Sequence, residues 1–226
     1  MNKLWYLSQI SLLDALPMED LMEIDRMAPM TRIGKGELIQ TPDTFREGLY
    51  FLKTGKLKLY KVNSAGKQFI VSILGTGNVF GEIDSFSLGT RDTFIETMEE
   101  TILCSLDKEM FEQFLMERPQ LAVKMMKELS ALLQERDAQL AQMALGDVRK
   151  KALHLLVKLG QKFGMEEDGF HRIDMALSHQ EIASMIGSTR ETVTIALNEL
   201  ARQHLIKTGR MTIHVDLKRG MEQLDV

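Results

Sequence analysis

Between Pro119 and Gly146 the chain contains neither proline nor glycine. These are the two residues that most readily interrupt a helix. One unbroken helix of about 25 residues, ~38 Å long, is therefore expected there. Leu121, Met125, Leu129, Leu132, Leu140 and Met143 make an apolar stripe along it in near-heptad steps, interrupted by Arg136. A helix this long rarely buries its whole stripe on one small domain. The stripe reads as a seam for a second copy of the chain, with packing inside the chain as the alternative.

The sequence on either side of this helix follows different rules. Residues 12 to about 30 place Leu13, Leu16, Leu21, Ile24 and Met27 at helical spacing, and Pro17 suits a first turn. From 33 to 106 the pattern is short strands. Residues 49–52, 57–62, 69–74 and 101–106 are rich in β-branched and aromatic side chains, and glycines recur between them. Residues 63–67 read as a hairpin turn. Strands separated by glycine turns imply an antiparallel barrel or sandwich. Beyond Gly146-Asp147, which marks a joint, the chain is α-rich with a two-strand tail.

Composition removes several classes of function. With 226 residues, 44% hydrophobic and 27% charged, the chain has an ordinary soluble composition. No run of about 18 apolar residues occurs, so no transmembrane helix is expected. The N-terminus does not read as a signal peptide, and a cytoplasmic location is the default expectation. The single Cys104 excludes internal disulfides and a conventional iron–sulfur cluster, and in Leu103-Cys104-Ser105-Leu106 it reads as a buried small hydrophobe. All five histidines lie at 154 or later, which argues against haem, a metal or histidine-dependent catalysis in the first two thirds. No nucleophile–base pair, metal cluster or phosphate loop is present, so the chain is not read as an enzyme. The sixteen methionines are read as gap-fillers in helical cores. The net charge is −4, yet from residue 146 onward twelve basic side chains outnumber eleven acidic ones.

That milder C-terminal part carries the strongest motif, residues 179–197. Ser178 and Glu181 form a capping box before a first helix. Ala183 is small where two helices must cross, and Gly187 supplies the turn. Ser188 or Thr189 caps a second helix, whose Val193 and Leu197 face inward. Thr189, Arg190, Glu191 and Thr194 are left on its outer N-terminal part, where a helix-turn-helix reads bases. Arg190 suits guanine and Glu191 suits cytosine; Ser188 and Thr189 suit phosphate. His179 and Gln180, at the start of the first helix, also suit phosphate. Residues 205–215 follow as a strand–turn–strand wing whose Lys207 and Arg210 can touch the DNA backbone.

Taken in order, these segments resemble the CRP/FNR superfamily of bacterial transcription regulators. The resemblance rests on Lys35-Gly36-Glu37, on Gly48 to Gly55, on Gly75 to Glu82, on Asp147-Val148-Arg149-Lys150-Lys151-Ala152-Leu153 and on Ser188-Thr189-Arg190-Glu191-Thr192-Val193. It implies an α+β chain: a cyclic-nucleotide-binding-type β-roll (jelly roll) over 1–107, a dimerisation helix over 108–145 and a winged helix-turn-helix over 146–226. It also implies a homodimer on an inverted-repeat operator in double-stranded DNA, with RNA polymerase as a further partner if the protein activates, and a small-molecule effector in the roll. A constitutively active regulator remains open, as does a ligand-binding module that acts through protein contacts.

Within this resemblance the chain departs from the cAMP-binding members. Their Gly-Glu, which holds ribose and phosphate at the start of a short helix, is matched by Gly81-Glu82. Their phosphate-binding Arg-Ser is replaced by Asp92-Thr93, and their adenine-contacting Thr-Ser by Arg136-Asp137. Asp92 would repel a phosphate. Arg91, if on a strand, would point the other way. The resemblance therefore argues against cAMP, and no cofactor is expected. In the reading helix, Ile195 stands where regulators of TGTGA-type half-sites carry a second arginine. It can meet a thymine methyl but cannot pair with guanine.

Overall fold

The computed structural model describes residues 10, 13, 16–44, 47–83 and 86–224, with only the backbone at 86, 139 and 142–145. Contacts divide the chain into two compact units, one of residues up to 66 with 71–135, the other of residues 67–70 with those from 136 onward.

The first unit opens with α1 (Met18–Met27), which buries Leu21 and Ile24. The helix is shorter than its apolar spacing suggests. Before it, the amides of Leu13 and Leu16 donate to the carbonyls of Ile10 and Leu13. After it, Pro29 forces Ala28 to φ −95°, ψ 101°, because a residue before proline avoids the helical region. The chain enters β1 (Met30–Ile33) directly.

Eight more strands follow: β2 (Leu38–Gln40), β3 (Gly48–Thr54), β4 (Leu57–Val62), β5 (Gln68–Leu74), β6 (Val79–Ile83), β7 (Phe86–Ser87), β8 (Phe94–Thr97) and β9 (Thr101–Asp107). They form two sheets, ordered β1-β9-β3-β6-β7 and β2-β8-β4-β5. In the turn after β4 the Gly66 amide reaches Asn63 O at 2.9 Å, with Gly66 at φ 76°. This is the expected β-roll, with five strands beyond the four read from hydrophobic alternation.

The larger sheet is buried on both faces, and the period of two along its strands sorts the core. Leu49, Phe51, Ile83, Cys104 and Leu106 face the helices. Leu52, Phe80 and Leu103 face the second sheet, where they meet Leu57, Leu59 and Ile95. Glu82 alternates with Ile83 and so points into the roll. At Gly81, φ is 132° and an added Cβ would lie 2.1 Å from Gly48 O. The backbones of β3 and β6 approach too closely there for any side chain.

Asp107 caps α2 (Lys108–Glu117) by accepting from Met110 N at 2.9 Å. Arg118 then closes the corner. Its guanidinium meets Asp20 at 2.7 Å, Glu23, and Glu117 at 3.0 Å, and it lies 4.0 Å over the Phe114 ring. Pro119 starts α3 (Pro119–Leu145), the expected long helix of 27 residues. The apolar stripe on α3 divides. Leu121 and Met125 are buried against α1, α2 and the sheet, so they belong to the unit's own core. Leu129 and Leu132 are half-buried and Leu140 is exposed; Val123, Met126 and Leu133, outside that stripe, are exposed as well, and Met126, Leu133 and Leu140 stand seven residues apart. The side chain of Met143 lies outside the described residues. The methionines also differ from expectation: Met18, Met22, Met30, Met110, Met116 and Met126 are all exposed rather than filling the core.

The second unit holds α4 (Val148–Phe163), β10 (Gly164–Glu167), β11 (Phe170–Ile173), α5 (His179–Ile186), α6 (Arg190–Arg202), β12 (Ile206–Gly209), β13 (Thr212–Val215) and α7 (Leu217–Leu224). Asp147 caps α4 through Lys150 N at 2.7 Å. The tail is not a two-stranded wing alone. It is a four-stranded sheet ordered β10-β11-β13-β12, followed by a helix. Gly160 and Gly220 let the layers close: a Cβ at Gly160 would meet Val215 at 2.5 Å, and one at Gly220 would meet Val157 at 2.7 Å. No helix among the described residues is long and apolar enough to cross a membrane.

Replacing Gly81 by alanine should lower unfolding stability by roughly 1–3 kcal/mol from backbone strain alone, with the clash adding to it. A urea unfolding curve with an unchanged midpoint would contradict the close approach of β3 and β6.

Candidate functional site

The interface for nucleic acid is assembled by α5, its turn and α6. Ser178 and Glu181 form a complete capping box, with Glu181 Oε2 accepting from Ser178 N at 2.8 Å. Gly187 sits at φ 68°, ψ 32°, in the left-handed region that ends the helix without strain. Ser188 N continues the turn to Ala183 O at 2.9 Å. Thr189, not Ser188, caps α6: its oxygen accepts from Thr192 N at 3.3 Å. Beneath, Ala183, Val193, Ala196, Leu197 and Leu200 are buried, so α6 is held by one face and presents the other.

On that outer face Arg190, Glu191 and Ile195 are exposed. Ile195 is 61% exposed, a large apolar side chain on an otherwise polar surface. Asn198 lies on the same face, exposed and three residues beyond Ile195. Helical arithmetic from Glu191 points to it, although sequence reading stopped at Ile195. Thr194 behaves differently from expectation. Its hydroxyl donates to Arg190 O at 2.8 Å and lies 2.7 Å from His179 Nδ1. It thereby joins the two helices instead of standing free for bases.

Gln180 is exposed at the start of α5. A groove of about 430 Å³ runs between that start, the start of α6 and the wing, lined by Ser178, His179, Gln180, Arg190, Thr208 and Thr212. Arg210 is exposed in the wing turn. Lys207 is exposed too, but its ammonium lies 4.0 Å over the Phe170 ring, so the β10–β11 hairpin supports the wing. Arg219 on α7 donates to Gln203 O at 3.2 Å and His204 O at 3.3 Å. It covers the carbonyl end of α6, a role invisible in local sequence.

The second candidate site, inside the roll, is organised around Glu82, which is 1% exposed. Gly81 and Glu82 lie in strand β6, not at the start of a helix. Glu82 Oε1 accepts from Ser87 Oγ at 2.8 Å, Thr90 N at 2.9 Å and Thr90 Oγ1 at 2.8 Å. Arg91 lies in a turn, and its Nε reaches Glu82 Oε2 at 3.4 Å. The expectation that Arg91 points away is therefore corrected, because a turn has no strand alternation. Thr93 is buried and donates to Thr90 O at 2.5 Å; Gln40 Nε2 donates to the same carbonyl at 2.9 Å. Asp92 is exposed at φ 57°. On α3, Arg136 is half-buried and Asp137 exposed. Elsewhere in the roll, a cleft of about 380 Å³ is lined by neutral side chains, among them Thr31, Gln40, Tyr50, Phe80 and Ser105.

Comparison with known proteins agrees with this division. Residues 30–118 match the cyclic nucleotide-binding domain family, and residues 150–223 match the Crp-like helix-turn-helix domain family. The chain is 33% identical over 183 residues to a global nitrogen regulator of Synechocystis, covering 80% of this chain and 81% of that one. It is 29% identical over 172 residues to a CRP-like cAMP-activated global transcriptional regulator of Mycobacterium tuberculosis, covering 76% and 77%. Among solved structures, a CRP/FNR-family transcriptional regulator from Thermus thermophilus superposes with a TM-score of 0.70 at 25% identity, over 88% of this chain and 99% of that one. A cyclic-nucleotide-type roll followed by a winged helix-turn-helix defines a DNA-binding transcription regulator. The chain belongs to the CRP/FNR superfamily of these regulators.

Replacing Glu82 by glutamine removes the charge that Arg91 and the Thr90 hydroxyl face. Without any added ligand, this should cost roughly 1–3 kcal/mol of stability. An unchanged melting temperature would mean that the Ser87–Thr90 network does not hold the roll.

Proposed function

We propose that this regulator binds an inverted-repeat operator as a homodimer. The observation that carries the proposal is the capped, one-sidedly buried α6, whose free face offers Arg190, Glu191 and Ile195. In this reading Arg190 and Glu191 read an adjacent G·C step and Ile195 meets a thymine methyl. Gln180, Ser188, Thr189, Lys207 and Arg210 serve the backbone, and Thr194 orients α6. A two-fold dimer would set its two α6 helices one DNA turn apart, about 34 Å. The exposed heptad Met126, Leu133 and Leu140 supports α3 as the dimer seam.

For the roll we infer an effector other than cAMP, or none. Glu82 and Thr93 already hydrogen-bond within the chain, and Asp92 adds negative charge where a cyclic phosphate needs a cation. The neutral cleft beside Tyr50 is the better place for a small uncharged effector.

Selection from random duplex DNA, using the purified protein without an effector, should enrich an inverted repeat; a folded dimer that enriches nothing contradicts effector-free binding. On the enriched site, Arg190→Ala should lose about 1–3 kcal/mol of discrimination at one base pair of each half-site, while sedimentation still reports a dimer. Leu133→Asp should give monomers in the same sedimentation experiment; a persistent dimer would remove α3 from the seam.

A further inference from the structure

The buried residues of α6 determine which of its side chains stand farthest from the domain. A helix turns about 100° per residue. Val193, Ala196, Leu197 and Leu200 are the buried set. Directly opposite their common direction lie Glu191, Ile195, Asn198 and Arg202, within about 60° of one another. All four are exposed. The outward face therefore does not end at Ile195. Asn198 stands about 4.5 Å along the axis beyond Ile195 and about 10 Å beyond Glu191. The second distance is about three base-pair steps of ~3.4 Å. The Asn198 carboxamide has no hydrogen-bond partner among the described residues, so its donor and its acceptor are both uncommitted.

We infer that Asn198 is a further base-reading residue, which recognises adenine in the major groove beyond the step met by Ile195. The inference rests on the reading that α6 lies in that groove. Adenine presents there the N7 acceptor beside the N6 amino donor. A carboxamide offers the complementary pair, an N–H donor and a carbonyl acceptor in one plane. The other bases each leave half of it unpaired: guanine shows two acceptors, thymine an acceptor and a methyl group, cytosine a donor. Two restraints keep this face turned one way along its length. Thr194 meets His179 near the middle, and Arg219 holds the carbonyls of Gln203 and His204 just past the end. Arg202, the last residue of the helix, adds positive charge at the end of the face, as a surface beside phosphates requires. Each half-site then lengthens: a G·C step, a thymine, and an A·T pair toward the C-terminal end of α6.

The test removes single atoms from the DNA and from the protein. Affinity is measured on the selected operator with 7-deazaadenine placed at one adenine at a time, which deletes N7 and leaves base pairing intact. At one adenine of each half-site the intact protein should lose about tenfold in affinity. Asn198→Ala should lose the A·T preference at that position alone and be indifferent to the analogue there. Asn198→Asp keeps the shape but carries acceptors only. Repeated selection with it should move the preference at that position from adenine to cytosine, whose N4 donates. Both variants should remain dimers by sedimentation, since the side chain is exposed. If both select the unchanged repeat, or if the loss on removing N7 is the same with and without the Asn198 carboxamide, the inference is overturned. Failure of the underlying reading looks different. An Arg190→Ala protein that also selects the unchanged repeat, or an intact folded dimer that enriches nothing, removes α6 from base reading altogether, and Asn198 with it.

Discussion

A carboxylate buried between two sheets must be satisfied by its own chain or by something it binds. In this roll the chain satisfies one oxygen of Glu82 with three hydrogen bonds and leaves the other, Oε2, buried without a hydrogen bond and 3.4 Å from the Arg91 guanidinium. The hydroxyls of Ser87 and Thr90, the Thr90 amide and the Arg91 guanidinium converge on it. Gln40 and Thr93 in turn hold the carbonyl of Thr90. The close crossing at Gly48 and Gly81 positions β6 so that this can happen. The segment between β7 and β8 is thus pinned by polar bonds inside an otherwise apolar interior.

The second unit solves a different problem, holding one helix rigid while leaving most of its polar face unused. Small and aliphatic residues bury the inner side of α6. Thr189 caps its beginning, and Arg219 holds the carbonyls of Gln203 and His204 just past its end. His179 ties its middle to α5. Each restraint comes from a different element, so the orientation of α6 is set by the whole domain rather than by the turn alone.

Much of this was legible in the sequence. The helix between Pro119 and Gly146, the strand at 57–62, the capping box at Ser178 and the turn at Gly187 are local patterns, and local patterns survive folding. The expected order of roll, long helix and winged helix-turn-helix holds. Short elements were harder. Strands of two to four residues such as β2, β7 and β8 give too few alternations to register. One omission had a signal: Asp168-Gly169, both at positive φ (49° and 74°), is the two-residue hairpin turn joining β10 to β11. The contacts of Arg91 with Glu82 and of Thr194 with His179 depend on neighbours that only the tertiary fold supplies. On α3, Leu121 and Met125 of the apolar stripe pack inside the chain for the same reason. Hydrophobicity alone cannot tell which leucines and methionines the chain buries on itself.

The exposed methionines divide the chain's sulfur chemistry in space. The thiol of Cys104 is 1% exposed, whereas Met116 is 82% and Met126 60% exposed. Oxidants act on what they can reach, and a thioether that becomes a sulfoxide turns from apolar to polar. In the single chain, peroxide would therefore meet the surfaces of α2 and α3 long before it met the only cysteine. The first mark of oxidative damage would be a roughened helix surface around an intact, reduced core.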